Sequence, residues 1–434
     1  MNTTYTTVLH PTAGFIPDIA RDAPPGMISS EEASLLRDLA KRVAEIANEP
    51  EQAEKRRLWL SHNALEPVRP MLLVFPEDAW SDVLPPGELN VADPFWRQVE
   101  WYLKHLIYRA DHLPDDFVIE PEFYITLRID LGNWGLFTEK IYSGQDKGAW
   151  IYDPALKDPG AIDRLTEPAV RVDEAYTQRC FQAAGDVLGD ILPVRVHGFL
   201  PAVNLVGEAA ELRGLEALTW DLYDRPEWVH KLMSFISAAR KKQLIYLVEK
   251  GYLSLNNRNH YTDSGGYGYT DELPGGEFTG QVRLKDLWGF GVAQEFSWVG
   301  PAQHELFLLD YQLPLLECFG LVSYGCCEPY THKFEMLKRR VPRLRRISVS
   351  PWCDLRTAAQ ALQDRFVLSW KFNPAPVVSG LDEDALRLQI REGLQITRGC
   401  VTELILKDLF SVRGRPERVE RFARIAREEI DSLK

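Results

Sequence analysis

The segment from Leu321 to Pro376 reads LVSYGCCEPYTHKFEMLKRRVPRLRRISVSPWCDLRTAAQALQDRFVLSWKFNPAP. Its short apolar runs LVSY, RRISVS and FVLSWKF alternate with THKFEMLKRR and DLRTAAQALQD, where apolar residues recur at helical spacing. That alternation predicts parallel strands joined by helical crossovers. The same beat runs outward on both sides. LWGFGVAQ and PAQHELFLLDYQLPLLECFG precede the segment, and DEDALRLQIREGLQITRG, VTELILKD and RPERVERFARIAREEID follow it. Strand after strand ends in polar residues, which predicts an α/β chain folded as a (β/α)8 TIM barrel.

The first half is less regular. Ser29 to Leu60 opens on a capping serine with early acids and continues at helical spacing, so residues 1–65 are expected to form an N-terminal helical extension. Residues 66–434 are then a single barrel. RPMLLVF, VIEPEFYITLRI and VRVHGF read as strands, and Asp93 to Leu113 as an amphipathic helix started by Asp-Pro. Gly132 to Asp173, rich in Gly, Pro and Asp, reads as an insertion over the barrel mouth. The loop DSGGYGYTDELPGG, Asp263 to Gly276, matches no phosphate-cradling pattern. With Tyr261, Tyr267 and Tyr269 it reads as a mobile lid. Lys338 to Arg346, KRRVPRLRR, reads as a solvated helix end on the stability face of the barrel.

Composition narrows the function classes. The 434 residues carry a net charge of −13, which argues against nucleic-acid binding driven by phosphate neutralisation. No apolar run approaches the roughly 20 residues of a membrane span. The N-terminal stretch lacks the basic and apolar regions of a secretory signal, so a cytoplasmic location with free thiols is expected. Twelve tryptophans and sixteen tyrosines suit a deep pocket for a flat or apolar ligand as well as a large core.

In a barrel of this kind, chemistry sits just past the C-terminal ends of the strands. Those positions hold Gln294 and Glu295, then Tyr324, Cys326, Cys327 and Glu328. Next come Ser350, Trp352, Cys353 and Asp354, then Lys371 and Asn373, then Lys407 and Asp408. His197 ends the VRVHG strand. Side chains alternate along a strand, so one of the two adjacent thiols is expected to face the mouth and the other to pack outward. A thiolate at the mouth could bind zinc, which favours sulfur, imidazole and carboxylate ligands.

YGCCEP, RRISVSPWCD, SWKFNPAP and TELILKD, in this order, resemble the uroporphyrinogen-decarboxylase-like superfamily, and within it the corrinoid-associated methyltransferase branch. The resemblance runs from about Lys55 to the C-terminus and is strongest from Leu287 onward. The arginine-rich substrate segment of the heme-pathway decarboxylase is replaced here by RPMLLVFPEDAW, so heme synthesis is not implied. Where the branch carries His-x-Cys, this chain has Tyr324-Gly325-Cys326.

The resemblance implies transfer of a methyl group from a small methylated donor, such as a methoxylated aromatic, to a corrinoid carried by a partner protein. It implies a homodimer as one form of the barrel. Zinc held by Cys327 or Cys326 with Glu295 or Glu328 is one expected Lewis acid; Tyr324 or Lys371 donating a proton is the other. Asp354 and Asp408 are expected to position these donors. His197, Trp352, Asn373, Tyr267 and Lys407 are the expected substrate-binding residues. The competing expectation is a decarboxylase or lyase of the same superfamily acting on a small acid.

Overall fold

The computed structural model describes residues 23–144, 150–262, 264–380 and 382–433. Its centre is an all-parallel sheet of seven strands. We label the principal strands β1 (Met71–Val74), β2 (Phe123–Thr126), β3 (Val194–His197), β4 (Ala202–Val203), β5 (Trp288–Gly291), β6 (Leu321–Tyr324), β7 (Leu344–Val349), β8 (Val367–Phe372) and β9 (Val401–Leu406). The sheet runs β1-β9-β8-β7-β6-β5-β4. From β5 to β8 each strand is followed by a helical crossover, as the alternation predicts, and β9 is followed by the helix Glu417–Asp431.

The period of two along these strands separates two environments. Val322, Tyr324, Ile347, Val349, Leu368, Trp370, Leu404 and Leu406 pack into the main apolar core. Most of the intervening residues are buried but polar: Ser323, Arg346, Ser348, Ser369, Lys371 and Glu403, with Ile405 the apolar exception. A sheet face of that composition is an interior that must be satisfied by internal polar partners. Arg346 supplies many of them. It pairs with Glu403 at 3.2 Å and donates to Thr262 Oγ1, Asn63 Oδ1 and the Tyr267 carbonyl.

A closed eight-stranded barrel is not formed by hydrogen-bonded ladders among the described residues. The free edge of β1 is occupied by the Asp115–Asp116 segment and Arg109 instead of a neighbouring strand, and the Asp116 amide donates to the Leu72 carbonyl at 2.8 Å. The Leu72 and Val74 amides donate to the carboxylates of Asp116 (2.7 Å) and Asp115 (3.0 Å), and Arg109 donates to the Val74 carbonyl. Strands β2 and β3 pair only with each other, in parallel. Adjacent aspartates at the end of a loop are a feature that strand periodicity does not register.

The N-terminal extension is two helices, not one. Helix α1 (Ser30–Ala47) begins with the expected capping box at Ser29 and Glu32, and α2 (Pro50–Asn63) restarts at Pro50. The end of α2 enters the polar interior. Asn63 Nδ2 donates to the Tyr267 and Tyr269 carbonyls at 2.8 Å, and His62 lies 3.5 Å from Glu403.

Two sequence expectations are corrected here. The glycine-rich loop is not a lid: Tyr261, Tyr267 and Tyr269 are all buried, and a Cβ on Gly266 would lie 2.5 Å from Arg346. Glycine is used there so that backbone can pass against the buried ion pair. Asp263, which opens that loop, lies outside the described residues. The KRRVPRLRR run is solvated only in part. Arg339 bonds Glu305 at the surface, whereas Arg346, one register step into β7, is fully buried.

Candidate active site

The groups that meet at the C-terminal ends of the strands come from β1, β6, β9 and the glycine-rich loop. At the end of β9, Lys407 donates to Ser264 Oγ at 2.9 Å. Ser264 Oγ lies 3.3 Å from Cys326 Sγ, and Cys326 Sγ lies 3.5 Å from Cys327 Sγ. Ammonium, hydroxyl and two thiols thus form one chain of contacts. Lys407 is also 3.1 Å from Asp408, whose backbone amide donates to Glu77 Oε2 at 2.7 Å.

Both thiols face the same cluster, contrary to the expectation that they would part. The reason is Gly325. Its φ of +101° ends the strand, and a Cβ there would lie 2.4 Å from the Tyr330 ring. Past that turn the alternation of a strand no longer applies. Cys326 is buried and Cys327 exposed.

The charges are set by this arrangement. A hydrogen bond from Cys327 and the nearby Lys407 ammonium lower the Cys326 pKa against the cost of burial, so Cys326 is the more acidic thiol of the pair. The Cys327 thiol is pushed up, first by that hydrogen bond. Burial lowers the Lys407 pKa, but Tyr261, Cys326, Asp408 and Glu77 more than offset it. Burial raises Glu77 to about 7, with Asp408 adding to the rise and Lys407 opposing it. Glu77 and Asp408 both hold positive φ, 52° and 61°. For non-glycine residues such backbone costs on the order of 1 kcal/mol or more and concentrates at functional sites.

The other expected site residues divide. Lys371 lies in the polar interior, bonded to Ser369 and contributing to the low pKa of Glu403. In Glu403, burial is outweighed by Arg346, His62 and Lys371, which hold the carboxyl at about 2. Glu328 is buried and engaged at both oxygens, accepting from the Ala293 and Cys326 amides and from Tyr330. It therefore shapes the turn that carries Cys326.

Tyr324 points away from the mouth into the helix layer, bonding Gln312 at 2.6 Å and His304 at 3.1 Å, because it falls on the apolar side of β6. Asp354 caps the helix Leu355–Leu362 through the Thr357 amide. Asn373 closes a local turn on Ala375, and Trp352 is 73% exposed. Tyr267 is core, its ring 5.2 Å from that of Trp59.

His197 is buried beside His260, ring centroids 4.9 Å apart, and burial lowers its pKa to about 4. Glu295 lines a separate cavity. Among the described residues no three His, Cys, Asp or Glu side chains gather to hold a metal ion. Cys326 and Cys327 supply two of the three or four protein ligands that zinc takes, and do not make a zinc site on their own.

Two members of the cluster escaped the sequence reading. Glu77 lies three residues past the end of β1, in VFPEDAW, and the strand-end rule applied to that first strand would have found it. Ser264 carried no signal, because nothing in a glycine-rich loop tells that it runs through the interior.

No protein-family model and no curated protein matches the chain. Among solved structures, a methyltransferase from Methanosarcina mazei is similar, with a TM-score of 0.48 and 12% sequence identity, over 86% of this chain and 97% of that one. At that level of likeness nothing of its chemistry transfers to this chain. No helix among the described residues is long and apolar enough to cross a membrane.

Proposed function

We propose that this chain is a methyltransferase that moves a methyl group from a small methylated donor, of the methoxylated aromatic kind, to a corrinoid held by a partner protein. The observation that supports it is the cluster of Lys407, Ser264, Cys326 and Glu77 at the C-terminal ends of the strands. The resemblance of the strand-end motifs supports the same reading.

A methyl ether is a poor electrophile because its leaving oxygen is basic. A proton donor at that oxygen lowers the barrier, and general acids of this type contribute on the order of 10²–10⁴-fold. Lys407 presents an ammonium that its anionic neighbours keep charged, and Ser264 passes a hydrogen bond from it toward Cys326. Glu77, titrating near 7, can hold a proton or release one at neutral pH, and so can reload the donor after transfer. Cys326, whose pKa the Lys407 charge lowers, is a counter-charge to that ammonium when it ionises. The corrinoid would supply the nucleophile for the methyl carbon. Loops at this end expose Trp298 and Trp352, apolar surface suited to cover by a partner domain.

A second reading, decarboxylation or lysis of a small acid, is favoured by two buried lysines, Lys371 and Lys407, near the C-terminal ends of adjacent strands. An anaerobic assay separates the two. The protein is mixed with a reduced corrinoid protein and a panel of methoxylated aromatics, and cobalt methylation is followed by absorbance beside carbon dioxide release. Methyl transfer that falls about 100-fold or more in both Cys326→Ala and Lys407→Met supports the proposal. Full turnover in both variants, or carbon dioxide without methylation, overturns it.

A further inference from the structure

A cavity of about 830 Å³ is lined by none of the residues of the cluster, and the proposed chemistry does not use it. Its walls are a β-hairpin, Glu139–Tyr142 paired with Trp150–Asp153, the helices Leu205–Arg213 and Leu215–Asp224, and the turn Gln294–Phe296 that follows β5. The volume is within the range of small-molecule sites, roughly 300–1,000 Å³.

Two features of the lining define what it would accept. The first is aromatic: Trp150, Tyr152 and Trp220 face the space, with Trp150 42% and Trp220 63% exposed. The second is charge. Of the ionic residues in the wall, Arg213 is committed to Asp221 at 2.6 Å and Glu208 to Arg240 at 2.9 Å. Glu211, Glu216 and Glu295 remain as an acidic excess. Glu295 Oε2 is buried and has no hydrogen-bond partner among the described residues. Burial raises the pKa of both Glu211 and Glu295, and a neighbouring carboxylate raises each further. A positive charge placed beside such groups favours their ionised form.

The hairpin already holds an ammonium. Lys140 Nζ sits 4.2 Å from the Trp150 ring centroid and 5.8 Å from that of Tyr152, and its charge acts on Glu211. Aromatic faces beside carboxylates attract ammonium groups, quaternary ones included. An inorganic divalent ion is a poorer fit, since no three acidic side chains converge among the described residues.

We propose that this cavity is a binding site for an organic ammonium ion, with Trp150, Tyr152 and Trp220 as the aromatic faces and Glu211, Glu216 and Glu295 as the counter-charge. The site stands on these walls alone and does not require that the protein transfer methyl groups.

Isothermal titration with choline, and with its neutral carbon isostere in which tert-butyl replaces trimethylammonium, tests it. Choline is expected to bind at least about tenfold more tightly than the isostere, a difference of about 1.4 kcal/mol. Trp150→Leu and Glu295→Gln should each weaken choline about 3- to 10-fold, with far-ultraviolet circular dichroism unchanged. Lys140→Met should strengthen it, because the resident ammonium no longer competes; a merely structural lysine would not do so. Equal binding of choline and isostere overturns the proposal. So does no detectable choline binding at millimolar concentration, or a Trp150→Leu variant that is folded and binds as before.

Discussion

Glu77 offers the most direct quantitative test of the cluster. Its carboxyl is raised from 4.5 to about 7, chiefly by burial. The folded state therefore holds this proton more tightly than the unfolded chain does. As pH rises from 4.5 the unfolded carboxyl ionises first, and the folded state loses stability until the folded group ionises too, above 7. A tenfold difference in proton affinity between the two states is worth about 1.36 kcal/mol, so the penalty is about 0.8 kcal/mol at pH 5 and about 3.4 kcal/mol at pH 8.5.

Glu77→Gln removes the titration while keeping an oxygen to accept from the Asp408 amide. The variant should therefore gain on the native protein by about 2.5 kcal/mol between pH 5 and pH 8.5. Urea unfolding followed by tryptophan fluorescence at several pH values reads this directly, and the difference between the two curves is what matters. The rate-versus-pH profile should lose its limb near 7 in the same variant. Parallel stability curves across that range would refute the reasoning. They would mean that Glu77 titrates as an ordinary exposed carboxylate and cannot serve as a proton reservoir at neutral pH.

Two further outcomes are expected. Arg346→Met leaves Glu403 buried without its guanidinium and should cost about 3–5 kcal/mol. At about 2.1 cal/mol/K per residue over this chain, that lowers the melting temperature by about 4 °C. Combining it with Glu403→Leu should recover most of the loss, and a double variant as unstable as the sum of the two singles would count against a buried pair. Gly268→Ala places a Cβ 1.9 Å from the Asn256 carbonyl and should severely destabilise the fold, whereas Gly276→Ala, with nothing within 4 Å, should melt as the native protein does. Indistinguishable thermal melts for the two alanine variants would show that the loop does not run through the interior.

Local pattern was enough to specify the strands and their order of use. LVSY, RRISVS, FVLSWKF and VTELILKD became β6 to β9 because apolar runs of four to eight residues between amphipathic helices have few other stable arrangements. The same pattern placed Lys407, Asp408, Cys326 and Cys327 at the C-terminal end of the sheet, where the structure has them, since strand ends follow from strand positions. Which side chains meet was beyond its reach. Tyr324 carries the right chemistry but the wrong parity, and faces helices. Asp354 and Asn373 lie past strand ends, yet bond their own backbone, as short polar side chains do at turns. The two thiols turn the same way because one glycine with positive φ ends the alternation. Ser264 and Arg346 join the interior through contacts 143 and 283 residues distant along the chain, which no local pattern encodes. Periodicity reports which face a residue takes within its own element; the meeting of faces from different elements is settled by packing.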